Sequence, residues 1–288
     1  MTAFWKAAPF VFLILWSGGY GFAKLGLEHA EPMTLLALRY GLAVVVLVPL
    51  ALVLRPKWPV GARHWAAVAV TGFLIQGVYF GLAYLAMKQG MNAGTTAIIM
   101  ALQPALVAAA TPLIGGTRGG IGLWAGLGIG FCGVLLAVWS EGSLGPSPVG
   151  AALLAFGALA GISGATLFEK AQGRKTDPVA GGLVQYAVGF VLVAPVAMAT
   201  ETLVIDWQPG LIVALVWLVL GNSLISISLY IAMIARGDAT RISALMYLVP
   251  PLAMAVAWAL LGEPLRPLAL AGLALSAVGV YIVTRQTK

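Results

Sequence analysis

An all-α membrane protein of ten transmembrane helices, built as two inverted five-helix repeats, is the fold class this sequence predicts. Three observations carry it. Of the 288 residues, 61% are hydrophobic and only 9% charged, against roughly 25% charged in an ordinary soluble domain, and the mean hydropathy is +1.00. The apolar residues gather into runs of about 20, the length that crosses a hydrocarbon core as a helix, with short Gly, Pro and charge-rich breaks between them. Finally, the second half of the chain repeats the first at a constant offset of 146 positions.

The runs lie at residues 7–24, 33–54, 64–86, 92–114, 120–139, 148–168, 179–199, 210–233, 240–261 and 267–284. Span one follows Lys6 and resembles the basic start and apolar core of a secretory leader. The repeat argues otherwise, because Ser17, Gly18, Phe22 and Lys24 return as Ser163, Gly164, Phe168 and Lys170 in span six. Span two follows Pro32 and holds Tyr40 and Pro49, and span seven answers with Pro178, Tyr186 and Pro195. Span three ends in Tyr84, Ala86 and Met87, span eight in Tyr230, Ala232 and Met233. Pro104 of span four meets Pro250 of span nine, and Gly116 beyond the one meets Gly262 beyond the other. Gly126 and Gly133 of span five meet Gly272 and Gly279 of span ten. Shared alanines and leucines are cheap in so apolar a chain; prolines, tyrosines and a lysine in one register are not.

Residues 1–142 and 143–288 are therefore expected to be the two repeats of one integral membrane domain. Five spans is an odd number, so the second repeat enters from the opposite side, the construction of many secondary transporters. Charge gives an independent check, since Lys and Arg concentrate in cytoplasmic loops. With both termini on one face, Lys6, Arg55, Lys57, Arg63, Arg118, Lys170, Arg174, Lys175, Arg236, Arg241, Arg285 and Lys288 fall there, and only Lys24, Lys88 and Arg266 fall opposite. The expected location is a bacterial inner membrane, crossed many times, with both termini cytoplasmic. Glu28, Glu31, Glu141, Glu201, Asp206 and Glu263 then lie outside. Much of the net charge of +7 is thus topology. No basic patch interleaved with aromatic residues suggests nucleic acid, and the single Cys132 allows no intramolecular disulfide.

Trp16, Ser17, Gly18 and Lys24 in span one, Pro32 after it, Arg39 in span two, Pro250, Gly262 to Leu265 and the glycines of span ten together resemble the drug/metabolite transporter superfamily. The likeness covers nearly the whole chain. It is similar to the ten-helix EamA-type exporters and most like the bacterial exporters of aromatic amino acids. The resemblance implies a central cavity walled by spans one, three, four, six, eight and nine, with five and ten packed outside. Two departures stand out: Gly116-Thr117-Arg118 faces Gly262-Glu263-Pro264, and Arg39 is answered by Gln185.

Helical spacing within those spans selects the expected substrate-binding residues. They are Trp16 and Tyr20; Gln76, Tyr79 and Phe80; Thr96, Met100 and Gln103; Ser163; Asn222 and Ser226; and Ser243, Met246 and Tyr247. Gln76 and Asn222 are repeat mates, and two carboxamides suit the ammonium and carboxylate of a zwitterion; each also serves as ordinary glue between helices. The rings of Trp16, Tyr20, Tyr79 and Tyr247 offer faces to an aromatic side chain or fill the bundle, whereas Trp5, Trp58, Trp65, Trp139 and Trp207 suit the interfacial belts.

Arg39 is the charge inside a span. It either pairs with a substrate carboxylate or, lying about two turns from the outer helix end, snorkels to that surface, and the shallow depth favours the second. Lys24 and Lys170 end helices and suit their C-terminal dipoles. Pro104 and Pro250 are candidate hinges, and Gly122, Gly126 and Gly130 form a small-residue face for close packing.

No carboxylate falls at mid-membrane, Glu169 and Glu263 being nearest at span ends, and His29 and His64 lie at boundaries. That pattern suits uniport down a substrate gradient, with proton coupling through Glu169 second. No phosphate-binding loop for ATP, metal-ligand set or cofactor site is evident. An intramembrane enzyme would want a nucleophile with a base or an acid pair, so the chain reads as a non-enzyme. A proton-coupled exporter of drugs or lipophilic cations, or a lipid flippase, is the rival within the same fold. The expected partners are a small-molecule substrate and the bilayer, and a monomer suffices.

Overall fold

A computed structural model describes residues 3–115, 120–140, 148–173, 176–227, 229, 233 and 248–286. Its elements are α1 (Ala3–Gly26), α2 (Pro32–Leu54), α3 (Ala62–Lys88), α4 (Ala93–Ile114), α5 (Ile121–Ser140), α6 (Pro148–Gln172), α7 (Pro178–Thr200), α8 (Pro209–Ser226), α9 (Val249–Leu261) and α10 (Pro267–Gln286). All are helical, as a lipid environment demands of backbone that must satisfy its own hydrogen bonds. Eight segments, α1 to α8, are long and apolar enough to cross a membrane. At the positions of spans nine and ten the described helices are shorter apolar segments, and residues 240 to 247 of span nine lie outside the described residues.

Repeat mates pack on each other. In α5 and α10, a Cβ on Gly126 would lie 2.7 Å from the Gly279 carbonyl, and one on Gly133 would lie 2.5 Å from the Gly272 carbonyl. The two backbones touch there, which only glycine permits, and the register 126 to 279 and 133 to 272 makes the helices antiparallel. Ser276 donates to the Gly130 carbonyl at 3.2 Å in the same seam. The glycine face of span five thus packs within the chain. Helices α2 and α7 also pair antiparallel: Met33 and Thr34 meet Glu201, Gly41 lies against Phe190 and Leu47 against Gly182. Tyr40 and Tyr186, mates by sequence, stand 5.8 Å apart ring to ring near the centre of this pair.

The helix ends define two faces. One carries the α2–α3 and α6–α7 connections together with the first and last described residues, and is called the terminal face. The opposite face carries the α1–α2, α3–α4, α7–α8 and α9–α10 connections. Trp58, Trp65, Trp139 and Trp207 are 42 to 81% exposed near these helix ends, as belt residues should be.

Two departures from regular helix matter. Both α3 and α8 widen into π-helix, at Phe73–Tyr79 and Trp217–Ser226, and these segments are repeat mates. Such turns recur at functional sites because they redirect side chains without ending the helix. Helix α4 breaks at Ala101 and Leu102, and Pro104 sits in the first turn of the part that resumes at Gln103. Pro250 likewise stands in the first turn of α9. Proline lacks the amide that a helix interior would need but is well suited to a first turn.

Candidate functional site

A cavity of about 640 Å³ lies at the centre of the bundle. Its walls run from Glu169, Thr176 and Asp177 at the terminal face to Ala23 and Met87, within a turn of the opposite helix ends. Helix α1 gives Trp16, Gly19 and Tyr20; α3 gives Gln76, Tyr79, Phe80 and Tyr84; α8 gives Asn222. Helix α2 gives Arg39, and α7 gives Gln185 and Tyr186. The wall of α2 and α7 replaces that expected of spans four and nine, from which no described residue reaches the cavity. Arg39 and Gln185 are repeat mates, as are Tyr40 and Tyr186, so polar pairs in spans two and seven were the sequence signal for this wall.

The aromatic lining is a continuous group. Tyr79 and Phe80 have ring centroids 4.4 Å apart, Phe80 meets Tyr84 edge-on at 6.2 Å, and the Tyr20 and Tyr79 hydroxyls are 3.4 Å apart. Such edges and faces accept a planar apolar group.

Arg39 does not snorkel. It is 1% exposed and held inside by three neighbours: Nη1 donates to the Tyr84 hydroxyl at 3.0 Å, and Nη2 to Asn222 Oδ1 and Ser223 Oγ, each at 3.2 Å. Its guanidinium lies 4.3 Å from the Phe80 ring centroid, a cation–π contact. These fixed partners outweigh the pull of the surface.

The two carboxamides behave differently. Asn222 accepts from Arg39 and donates toward the Leu15 and Trp16 carbonyls at 3.4 Å, which binds α8 to α1 and α2. Gln76 is 4% exposed, and its Oε1 has no partner among the described residues. Its backbone carbonyl, inside the π-turn, accepts from the Tyr40 hydroxyl at 2.8 Å. Gln76 therefore presents a free acceptor where Asn222 does not.

Other expected residues lie elsewhere. Thr96 is fully buried and bonded to the Asn92 carbonyl, and Met100 packs in an apolar cluster with Ile98 and Ile99. Gln103 donates to Thr166 at 2.9 Å. Ser226 lies 3.5 Å from the Phe12 carbonyl, and Ser163 is buried, its hydroxyl without a partner among the described residues, outside the cavity wall. Ser243, Met246 and Tyr247 lie outside the described residues.

The profile of the EamA-like transporter family matches residues 5–139 and, a second time, residues 149–285. The chain belongs to the EamA-like transporter family. As an EamA member it is a multi-pass membrane transporter of the drug/metabolite superfamily. It is 26% identical over 280 residues to the uncharacterized inner membrane transporter YedA of Escherichia coli, covering 96% of this chain and 89% of that protein. To the uncharacterized transporter YvbV of Bacillus subtilis it is 24% identical over 277 residues, covering 96% and 90%. To a probable amino-acid metabolite efflux pump of Salmonella typhimurium it is 25% identical over 282 residues, covering 94% and 91%. A crystal structure of another protein aligns with a TM-score of 0.70 at 18% identity over 98% of each chain, a likeness of fold. The double match of the EamA profile falls on the two halves that the offset separates.

On the face opposite the termini, a polar network joins the helix ends. Glu201 accepts from the Met33 and Thr34 amides and the Thr34 hydroxyl, each at 2.8 Å, so a residue after α7 caps α2. Glu31 accepts from the Thr202 amide at 2.7 Å and its hydroxyl at 2.6 Å. Those two bonds hold its carboxyl below the usual range. Lys24 pairs with Glu263 at 2.8 Å and donates to the Met91 carbonyl at 2.8 Å, so it bridges connections as well as ending its helix. Lys88 donates to the Leu27 carbonyl at 3.0 Å, and Arg266 to that of Ser140.

Proposed function

We propose that this protein exports amino acids or similar small metabolites, aromatic amino acids foremost, from the cytoplasm across an inner membrane. It works by alternating access between two inverted repeats, residues 1–142 and 143–288, with both termini cytoplasmic. The observation that carries the reading is the ring-lined central cavity, whose described lining reaches the terminal face at Glu169, Thr176 and Asp177. Antiparallel pairing of α5 with α10 and of α2 with α7 supports the inversion, and the basic residues on the terminal face support the orientation. Kinship with a probable amino-acid metabolite efflux pump supports the cargo, and kinship with an inner membrane transporter supports the location.

Within the cavity, the free Oε1 of Gln76 suits an ammonium group, and Tyr20, Tyr79 and Phe80 suit an aromatic side chain. Pro104 and Pro250, each where a helix begins within a span, serve as the hinges. Transport is uniport, and the protein is not an enzyme.

The test is uptake and counterflow in proteoliposomes of the purified protein with phenylalanine, tryptophan, threonine and a lipophilic cation, with and without a pH gradient. Counterflow of the aromatic amino acids that persists without the gradient, and falls at least about tenfold in Gln76→Ala, supports the reading. Transport that stops when only the proton gradient is dissipated, substrate gradient held constant, sinks uniport. Movement of the cation alone means another cargo.

A further inference from the structure

Among the described residues, Arg39 is a charge without a counter-ion. It lies seven residues into α2, about 10 Å along the helix axis, in the wall of the cavity and 1% exposed. Arginine keeps its proton in any protein environment, so a full positive charge stands there. Its polar neighbours, Tyr84, Asn222 and Ser223, are all neutral. They take three of the five guanidinium N–H donors. Nε has no partner among the described residues.

The ion pairs among the described residues are Lys24 with Glu263 and His29 with Asp206, and neither involves Arg39. The carboxylates in the cavity wall, Glu169 and Asp177, stand at its mouth, and Asp177 already caps α7 through the Val179 amide at 2.9 Å.

Burying an ion without a partner costs several kcal/mol, because neutral dipoles replace only part of its hydration. The same chain does supply an anionic partner for Lys24, a cation less deeply buried than Arg39. The contrast between the two points to what the cavity takes. We propose that Arg39 receives the carboxylate of the transported molecule, so that the cargo class is an aromatic zwitterion or anion, and a lipophilic cation is excluded. The assignment rests on the transport function above and names its specificity residue.

Phe80 packs against the guanidinium, and Tyr84 holds it at Nη1 while Asn222 and Ser223 hold it at Nη2. The free donors are those that remain for the ligand. A cation brought into the same space meets like charge in a medium of low dielectric and is repelled.

The experiment measures binding to purified protein by ligand-induced thermal stabilisation, beside transport in proteoliposomes. Three probes share one ring: phenylalanine, 3-phenylpropionate and phenethylamine, the last without a carboxylate. The wild type is expected to bind both carboxylates at least about tenfold more tightly than the amine. Arg39→Gln abolishes that ratio. Arg39→Lys keeps the charge but not the planar fork and restores part of it. A merely structural role would lower all three affinities together and leave the ratio unchanged, which overturns the proposal. Phenethylamine binding as tightly as 3-phenylpropionate to the wild type also overturns it, as does failure of both carboxylates to bind. That wild-type comparison decides even where Arg39→Gln does not fold. If 3-phenylpropionate binds while phenylalanine is neither bound nor carried, the amino-acid reading falls and the role of Arg39 stands.

Discussion

The two ends of the bundle are built from repeat mates, yet among the described residues one is latched by several side chains and the other by few. On the opposite face Glu201 caps α2 across the chain, and Glu31 reaches back to Thr202. The mate of Glu201 is Arg55, which has no acceptor in its side chain, and the mate of Thr34 is Ala180, which has no hydroxyl. The mate of Glu31 is Asp177, which caps its own helix, α7, instead of crossing to a neighbour. Among the described residues, the side-chain link across the terminal face joins His64 to Thr176 at 3.0 Å. Duplication supplies equivalent helices, but closure depends on a few side chains at the helix ends that differ between copies. The two ends of this inverted repeat therefore carry unequal sets of described links.

Substitutions can break or sharpen that contrast. The largest effect belongs to the frame against which both ends are measured. Gly272→Leu places a Cβ 2.5 Å from the Gly133 carbonyl and 2.8 Å from the Ala137 amide, backbone that cannot yield. A loss of about 3 kcal/mol or more is expected, read as a collapse of the melting temperature in detergent and of monodispersity.

Next comes Lys24→Met. The pair with Glu263 is 20% and 12% exposed, so its loss is expected to cost about 2 to 3 kcal/mol, discounted from a fully buried pair for its contact with solvent. Accessibility reports it directly: in a Cys132→Ser background, a cysteine at the cavity position Ile75 should react faster with an impermeant maleimide supplied from the latched side. Unchanged labelling would mean that the latch is not the gate.

Glu201→Ala removes the acceptor of three donors on α2 and is expected to cost about 2 kcal/mol, with a smaller rise in the same labelling. Its mate supplies the control. Arg55→Gln should stay within about 0.5 kcal/mol and leave labelling from the latched side alone.

The smallest effect is that of pH on Glu31. Its folded carboxyl titrates below the ordinary value because Thr202 donates to the ionised form. The contribution is then complete above the unfolded value of about 4.3 and is lost as pH falls through the lower folded value. The melting temperature should fall in that acidic range and lose its Glu31-dependent part in Glu31→Gln.

Much of this was legible in the chain itself. Runs of apolar residues determined the helices, because a backbone in lipid has few other ways to satisfy its hydrogen bonds. The offset of 146 identified the mates, and the glycines of spans five and ten already announced a close seam, since small residues at helical spacing have few other uses there. Trp16, Tyr20, Gln76, Tyr79, Phe80 and Asn222, singled out by helical spacing, share the lining of the cavity because polar and aromatic residues at that spacing mark one face of a helix.

Periodicity names a face but not its neighbour. Only packing decided that α2 and α7 wall the cavity while Thr96, Met100 and Gln103 of α4 do not. Only packing turned Arg39 inward, since a long side chain goes where its partners stand, and Tyr84, Asn222 and Ser223 lie 45 to 184 residues away in sequence. The π-turns around Gln76 and Asn222, and the capping of α2 by Glu201, are likewise agreements between distant segments, which no single stretch of sequence contains.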